Sequence, residues 1–222
     1  MRIAVVIPAF NEEKRIGETV RGISALYPEY QIVVIDDGSA DRTVLKAKEA
    51  GAQVLQHLIN RGQGAALQTG TTYALNQGAD IIVHFDADGQ FEAKEIEVML
   101  QPVLKGEADV VLGSRFLSQK NSVPWSKKKI ILPLGRLVNF LFTGCWLSDA
   151  HNGFRVLTYR AALVLDLKQD RMAHNSEIIR FIAENKLPFV EKGITVFYHH
   201  YGQRFSGGLK IIKDLLLAKF LK

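Results

Sequence analysis

The apolar run Ile81-Ile82-Val83-His84-Phe85 stops abruptly at Asp86-Ala87-Asp88-Gly89-Gln90, and no other stretch of the chain restricts its fold as much. A short apolar run bounded by turn residues reads as a buried strand. In extended backbone, residues two apart point to the same side, so Asp86 and Asp88 aim two carboxylates at one point beyond the strand's C-terminal end. Hard divalent cations favour oxygen ligands, and Mg²⁺ takes only one or two carboxylates, with water and phosphate filling its other positions. Asp-Gly is equally ordinary turn chemistry, so these residues alone leave metal site and plain turn both open.

The surrounding pattern supplies context. Ile3–Ile7 reads as a strand closed by Pro8, followed by a helix carrying Ile16, Val20 and Ile23, with Asn11 as its N-cap. Ile32–Ile35 is a second strand, ended by Asp36-Asp37-Gly38-Ser39; a helix over 41–50, capped by Asp41, and a strand near Gln53–Leu55 follow. The loop Asn60–Gly64 opens a helix from Ala65 to Asn76, then come the strand Ala79–Phe85, a helix over 92–104 and the strand Asp109–Leu112. Apolar strands alternating with helices predict an α/β fold: a mostly parallel sheet flanked by helices. In such sheets ligands bind beyond the carboxyl ends of the strands. Pro8–Glu12, Asp36–Ser39 and Asp86–Gln90 all fall at such ends, which predicts one shared cleft.

The second half is less regular. Residues 118–129 form a polar, Lys-rich loop, and Leu134, Leu137, Val138 and Leu141 mark one helical face. Asp149 to Arg155 reads as a polar loop, followed by helices near 159–166 and 174–185, a strand Phe189–Tyr198 and a final helix Gly207–Leu221. No repeat or linker divides the 222 residues, so one domain is expected.

Charge and cysteine narrow the function. Lys plus Arg is 28 against 23 acids, which fits a phosphate-rich ligand or an anionic membrane, whereas no basic run interleaved with aromatics suggests nucleic acid. The single cysteine, Cys145, permits no internal disulfide, suits a reducing compartment, and reads as a buried small hydrophobe. The N-terminal apolar stretch is too short for a signal peptide. The longest apolar stretch, Ile130 to Leu147, is broken by Pro133, Gly135, Arg136 and Asn139 and falls short of the ~20 residues a spanning helix needs. Lys127-Lys128-Lys129 ahead of it, and a last helix with Lys210, Lys213 and Asp214 on one side, predict peripheral association with the cytoplasmic leaflet.

Other residues offer recognisable chemistry. Asp36 or Asp37, beside a metal site, can accept hydrogen bonds from a nucleotide's base or ribose. Asn60–Gly64 lacks the spacing of a P-loop. Arg115, directly after a strand, presents a guanidinium suited to phosphate, and Arg204 and Lys210 form a possible second phosphate clamp. His84, inside a strand, reads as a core histidine; His199 and His200 lack zinc-site spacing; no Ser-His-Asp arrangement is apparent.

Taken in order, Ile7-Pro8-Ala9-Phe10-Asn11-Glu12-Glu13, Ile35-Asp36-Asp37-Gly38-Ser39, Asn60–Gly64, Asp86–Gln90 and Gly113-Ser114-Arg115 resemble the family 2 glycosyltransferases. Within that family they are most similar to the dolichol- or polyprenyl-phosphate mannose synthase branch. Asp149 to Arg155 resembles its Asp-x-x-x-Gly-Phe-Arg segment, and Arg204 and Lys210 its late basic pair. The resemblance implies a GT-A fold, with a nucleotide-sugar-binding half over 1–115 and an acceptor-binding half, with interfacial helices, over 116–222. It implies nucleotide contacts from Pro8, Phe10, Glu12, Ile35 and Asp37, and a Mg²⁺ or Mn²⁺ held by Asp86, Asp88 and Gln90, with Ala87 alongside. Arg115, Arg204 and Lys210 are expected on the phosphates of donor and acceptor. The implied reaction is inverting transfer of mannose or glucose, from GDP-mannose or UDP-glucose, to a dolichyl or undecaprenyl phosphate, of the kind that serves cell-wall synthesis. A membrane protein is a further candidate partner. Two positions depart from the pattern: Gln63 stands where Lys is frequent, and Phe10 where Tyr is usual. Two other functions fit the same residues. One is elongation of a glycan hydroxyl, with Asp149 as general base; the other is a catalytically silent nucleotide-binding module.

Overall fold

The computed structural model describes residues 1–118, 140, 145–149, 152–168 and 174–197. They form one seven-stranded sheet in the order β3-β2-β1-β4-β6-β5-β7. The strands are β1 (Ile3–Ala9), β2 (Gln31–Asp36), β3 (Gln53–Gln56), β4 (Ile81–His84), β5 (Val110–Ser114), β6 (Arg155–Thr158) and β7 (Phe189–Gly193). The helices are α1 (Ile16–Leu26), α2 (Thr43–Glu49), α3 (Gln63–Asn76), α4 (Glu95–Leu104), α5 (Tyr159–Val164) and α6 (His174–Glu184). All neighbouring strands pair in parallel except β6, which runs antiparallel between β4 and β5.

Strand alternation sends side chains to two cores. Val5, Ile7, Val34, Val83 and Phe85 pack with Ile16, Val20 and Ile23 of α1 and Ile96, Met99 and Leu100 of α4. Ala4, Val6, Val33, Ile35 and Ile82 pack on the other face with Ala66 and Leu67 of α3 and with Ile178, Ile179 and Ile182 of α6. Both faces are covered, as parallel strands without polar alternation require. Cys145 and His84 are buried, as their surroundings in sequence suggest. Among the described residues no helix is long and apolar enough to cross a membrane.

Three local expectations are corrected. The polar segment ending at Arg155 is not a loop to its end: Arg155–Thr158 is the antiparallel strand β6, with His84 opposite Arg155. Four residues containing only two aliphatic side chains carry little strand signal, and long-range pairing decides the conformation. Asn11 does not cap α1, which begins at Ile16. It adopts a φ of 56°, and its Oδ1 accepts from Ala40 N at 2.9 Å. Asn is one of the few residues that tolerate this conformation, and here it ties two loops together. The last described strand, β7, stops at Gly193, short of Tyr198. The Lys127–Lys129 stretch, Arg204, Lys210 and the final helix lie outside the described residues.

Candidate active site

The loops after β1 and β2 are joined by hydrogen bonds. Asp37 N donates to Ala9 O at 2.8 Å, Asn11 N to Ser39 Oγ at 2.9 Å, Glu12 N to Thr43 Oγ1 at 2.8 Å and Glu13 N to Asp41 Oδ2 at 3.1 Å. Pro8 sits opposite Ile35 in register, both buried, whereas Phe10 remains half-exposed at the end of β1. Asp37 is buried and accepts from Arg61 N at 2.9 Å and Gly62 N at 2.6 Å. His57 Nδ1 lies 2.8 Å from the Asp37 carboxylate, and its Nε2 lies 3.0 Å from Thr69 Oγ1. The carboxylate therefore draws the ring proton to Nδ1 and leaves Nε2 to accept from Thr69. Through these three hydrogen bonds Asp37 fixes the entry to α3.

The next strand ending is built around Asp86 and Asp88. Gln63, at the start of α3, donates through Nε2 to Asp86 Oδ1 at 2.9 Å. The backbone of Gly153 lies flat against the same carboxylate, so that a Cβ placed there would fall 2.2 Å from Oδ2. The turn beyond Asp86 is held from α1: Arg15 Nη1 donates to Asp88 O at 2.6 Å and Thr19 Oγ1 to Ala87 O at 3.3 Å. Asp88 Oδ1 accepts from Gln90 N at 3.0 Å, and Gly89 takes a φ of 71°, the left-handed region glycine enters without steric cost. Phe85, Phe91 and Phe154 pack edge-to-face or tilted, with centroids 5.1 to 5.7 Å apart, and support the turn from the α1 side.

The electrostatics here are incomplete. Burial, and then the charge of Asp88, push the Asp86 carboxyl up to about 6 against the opposing influence of Arg155, Gln63 and Arg115. Glu12 is raised by burial and then by Asp88, which brings the β1 loop into the same field. Like charges at short range resist joint ionisation, and a cation relieves them. These two partly buried carboxylates supply the kind of oxygen donors that Mg²⁺ and Mn²⁺ accept. Among the described residues no group of three His, Cys, Asp or Glu side chains forms a ready-made cage.

Behind this pair lies a buried cation. Arg155 is almost fully enclosed in β6 and hydrogen-bonds Asn175 of α6. Burial lowers its guanidinium to about 10, while Asp86 and Asp149 pull it back up. His84, beside it, is driven to about 3, by burial first and then by the charges of Arg155 and His174, so it is neutral; its Nε2 lies 2.9 Å from Thr71 Oγ1. It is a core residue and takes no part in the acidic pair.

The Arg115–Asp149 pair is electrostatically closed. Arg115, directly after β5, donates through Nε to Asp149 Oδ2 at 2.7 Å and through Nη2 to Oδ1 at 2.8 Å, and its backbone N donates to Oδ2 at 3.0 Å. Burial alone would raise the Asp149 carboxyl. The Arg115 hydrogen bonds and charge outweigh it, with help from Asn152, and hold the group below the usual carboxylate range. Asp149 also receives support from β7, where Glu191 accepts from its backbone N at 3.2 Å.

The structure thus groups Glu12, Asp86, Asp88 and Gln90, and pairs Arg115 with Asp149, the two sets being linked by the charges of Arg115 and Arg155. Pro8, Phe10, Ile35 and Asp37 line the adjoining strand ends, and Ala87 is buried within the turn. Arg204 and Lys210 lie outside the described residues. Sequence reasoning missed the contacts of His57, Gly153, Arg155 and Glu191. Glu191 stands beside Lys192 in a five-residue strand and carried no signal of its own.

The order of strands, the carboxylate turn at the end of β4 and the Arg–Asp pair beside it agree with what homology reports: the profile of glycosyl transferase family 2 matches residues 4–163. The chain belongs to this family. An uncharacterized protein of Methanocaldococcus jannaschii is 38% identical, over 98% of this chain and 92% of its own. The UDP-N-acetylglucosamine–dolichyl-phosphate N-acetylglucosaminyltransferase of Methanococcus voltae is 32% identical, over 99% of this chain and 97% of its own. Among solved structures, glucosyl-3-phosphoglycerate synthase from Mycobacterium tuberculosis, crystallised with Mn²⁺, UDP-glucose and phosphoglyceric acid, superposes with a TM-score of 0.74 at 21% identity, over 98% of this chain and 79% of that one. The fold is therefore the GT-A fold of family 2.

Proposed function

We propose that this family 2 protein transfers a sugar from a nucleoside diphosphate to a polyprenyl phosphate, in a metal-dependent reaction that inverts the anomeric centre. The observation that carries the reading is the commitment of Asp149. Its carboxylate is paired bidentately with Arg115 and held below the ordinary range, so it is a weak proton acceptor. A glycan hydroxyl needs a base, whereas a phosphate monoester, with a second pKa of about 6, is already an anion at neutral pH. The second reading, elongation of a glycan, loses its base. The relative named as acting on dolichyl phosphate supports the lipid acceptor.

In this reaction an acceptor phosphate oxygen attacks the anomeric carbon as the bond from that carbon to the diphosphate breaks, and the nucleoside diphosphate departs. Asp86, Asp88 and Gln90 would hold a divalent cation, which would supply positive charge to the departing diphosphate. Glu12, Asp37 and the exposed ring of Phe10 orient the nucleotide, and Arg115, fixed by Asp149, presents positive charge to the acceptor phosphate. Arg204 and Lys210 complete the phosphate contacts. Preorganised charge of this kind is usually the largest contribution to catalysis. Because the acceptor is a lipid, the protein works at the cytoplasmic face of a membrane, held there by the basic and apolar stretches of residues 116–222.

The test is incubation with Mn²⁺ or Mg²⁺, a polyprenyl phosphate and, in separate reactions, labelled UDP-N-acetylglucosamine, GDP-mannose and UDP-glucose. Label entering the organic phase with one donor, and lost on chelation, is the expected result. Label that stays aqueous with every donor overturns the lipid acceptor. Co-flotation with anionic vesicles checks the membrane site; failure to float counts against it.

A further inference from the structure

Glu191 of β7 has no part in the reaction just described, yet it is the most heavily used side-chain acceptor near Asp149. Its Oε1 accepts from Ser148 N at 2.9 Å, Ser148 Oγ at 2.7 Å and Asp149 N at 3.2 Å, and its Oε2 lies 3.0 Å from Ser148 N. Ser148 spends its hydroxyl proton on Glu191, so in the Ser114–Ser148 contact, 2.6 Å between Oγ atoms, Ser114 is the donor. Ser114 Oγ in turn accepts from Phe116 N at 3.2 Å. One carboxylate therefore gathers three separate segments: β7 itself, the end of β5 from which Arg115 projects, and the loop that carries Asp149.

We infer that Glu191 is a positioning residue for phosphate recognition: it fixes the Asp149 backbone, and through Asp149 the orientation of the Arg115 guanidinium. The argument is geometric. The sheet sets β5 and β7 side by side, with Leu112 opposite Glu191, but neither strand includes Ser148 or Asp149. The loop reaches the sheet edge through these hydrogen bonds, and two of its donors are backbone N–H groups of consecutive residues. All three donors reach Oε1 and Ser148 N also reaches Oε2, so an amide in this place would turn its NH₂ toward the Ser148 N–H. Ser148 and Asp149 are both buried, so water does not replace the lost acceptor without rearrangement.

This inference rests on the reading of Arg115 as a phosphate ligand, and its test has a readout that does not depend on it. Glu191→Gln is compared with the natural protein, with Asp149→Asn and with the double variant. Residues that orient a ligating group typically cost 10- to 100-fold when removed, and that loss in transfer is expected for Glu191→Gln. In the Asp149→Asn background the same change should cost almost nothing further, because the two act in series. The Arg115 Nε–H NMR resonance, assigned by its absence in Arg115→Lys, should exchange faster with solvent in Glu191→Gln. If Glu191→Gln fails to fold, Glu191→Asp, which keeps the charge and shortens the reach, is judged by the same criteria. Independent, multiplying losses, or an Arg115 resonance that does not move, overturn the inference. Absence of transfer by the natural protein defeats the function proposed above, and the resonance still decides the role of Glu191.

Discussion

Asp86 and Asp149 both act on the buried Arg155, yet their surroundings are built on opposite principles. Asp86 sits beside Asp88, with Glu12 in the same field, and burial and like charge push its carboxyl up to about 6. Asp149 is as deeply enclosed but faces a bidentate arginine and is held down. The first arrangement is unfavourable in the isolated protein and becomes favourable when a cation arrives. The second is satisfied already and offers its arginine in a fixed orientation. On the function proposed above, the acidic pair would be kept ready for a metal–diphosphate, whereas Arg115 would be prepared for an anion that brings its own charge.

The strongest way to break this contrast is Asp88→Ala. It removes a carboxylate from the acidic pair and should lower transfer by about 10³-fold, the scale of losing a preorganised electrostatic group; steady-state kinetics at saturating metal check it. Gly153→Ala comes next. Its Cβ would lie 2.2 Å from Asp86 Oδ2, so the carboxylate must move, and a displacement near 1 Å costs about 10²-fold. Transfer rates and Mn²⁺ binding are the measurements.

The stability effects have opposite signs. Asp149→Asn should destabilise by about 2 kcal/mol at neutral pH, the scale of charge-assisted hydrogen bonds. Asp149 is lower in the folded state than its unfolded value near 3.9, so its contribution is complete above that value and is lost as pH falls through the lower folded one. The gap in melting temperature between variant and natural protein should therefore shrink under acid. Asp86 is displaced the other way, and its charge opposes folding once pH rises from the unfolded value through about 6. Asp86→Asn, melted at neutral pH with chelator, should be no less stable than the natural protein. The smallest effect belongs to Gln63→Ala: loss of one hydrogen bond to Asp86, roughly a fivefold loss in metal-dependent transfer.

The strands β1, β2 and β4 were legible in the sequence because each is a mostly apolar run, the pattern of a strand buried on both faces. The turn at Asp86 was legible because two acids at a strand end share one direction. What escaped reading depends on contacts far apart in the chain. Arg155 looked like the end of a polar loop, yet its place opposite His84 makes it a buried strand residue behind Asp86. Asn11 looked like a helix cap and instead bridges to Ala40. His57 and Glu191 carry no motif, and their roles exist only once Asp37 and Ser148 are brought beside them. Gln63, which departs from the family's frequent lysine, was noticed in sequence; its contact with Asp86 required the fold.

On the proposed function, Asp86 and Asp88 would bind metal and donor diphosphate while Arg115 would serve the acceptor. Calorimetric titration of Mn²⁺ with a nucleoside diphosphate into the natural protein, Asp88→Asn and Asp149→Asn tests it most directly. Binding should collapse in Asp88→Asn and weaken far less in Asp149→Asn, because Asp149 reaches the acidic pair only through the shared cations Arg115 and Arg155. Equal weakening in the two variants, or full binding in Asp88→Asn, would contradict it.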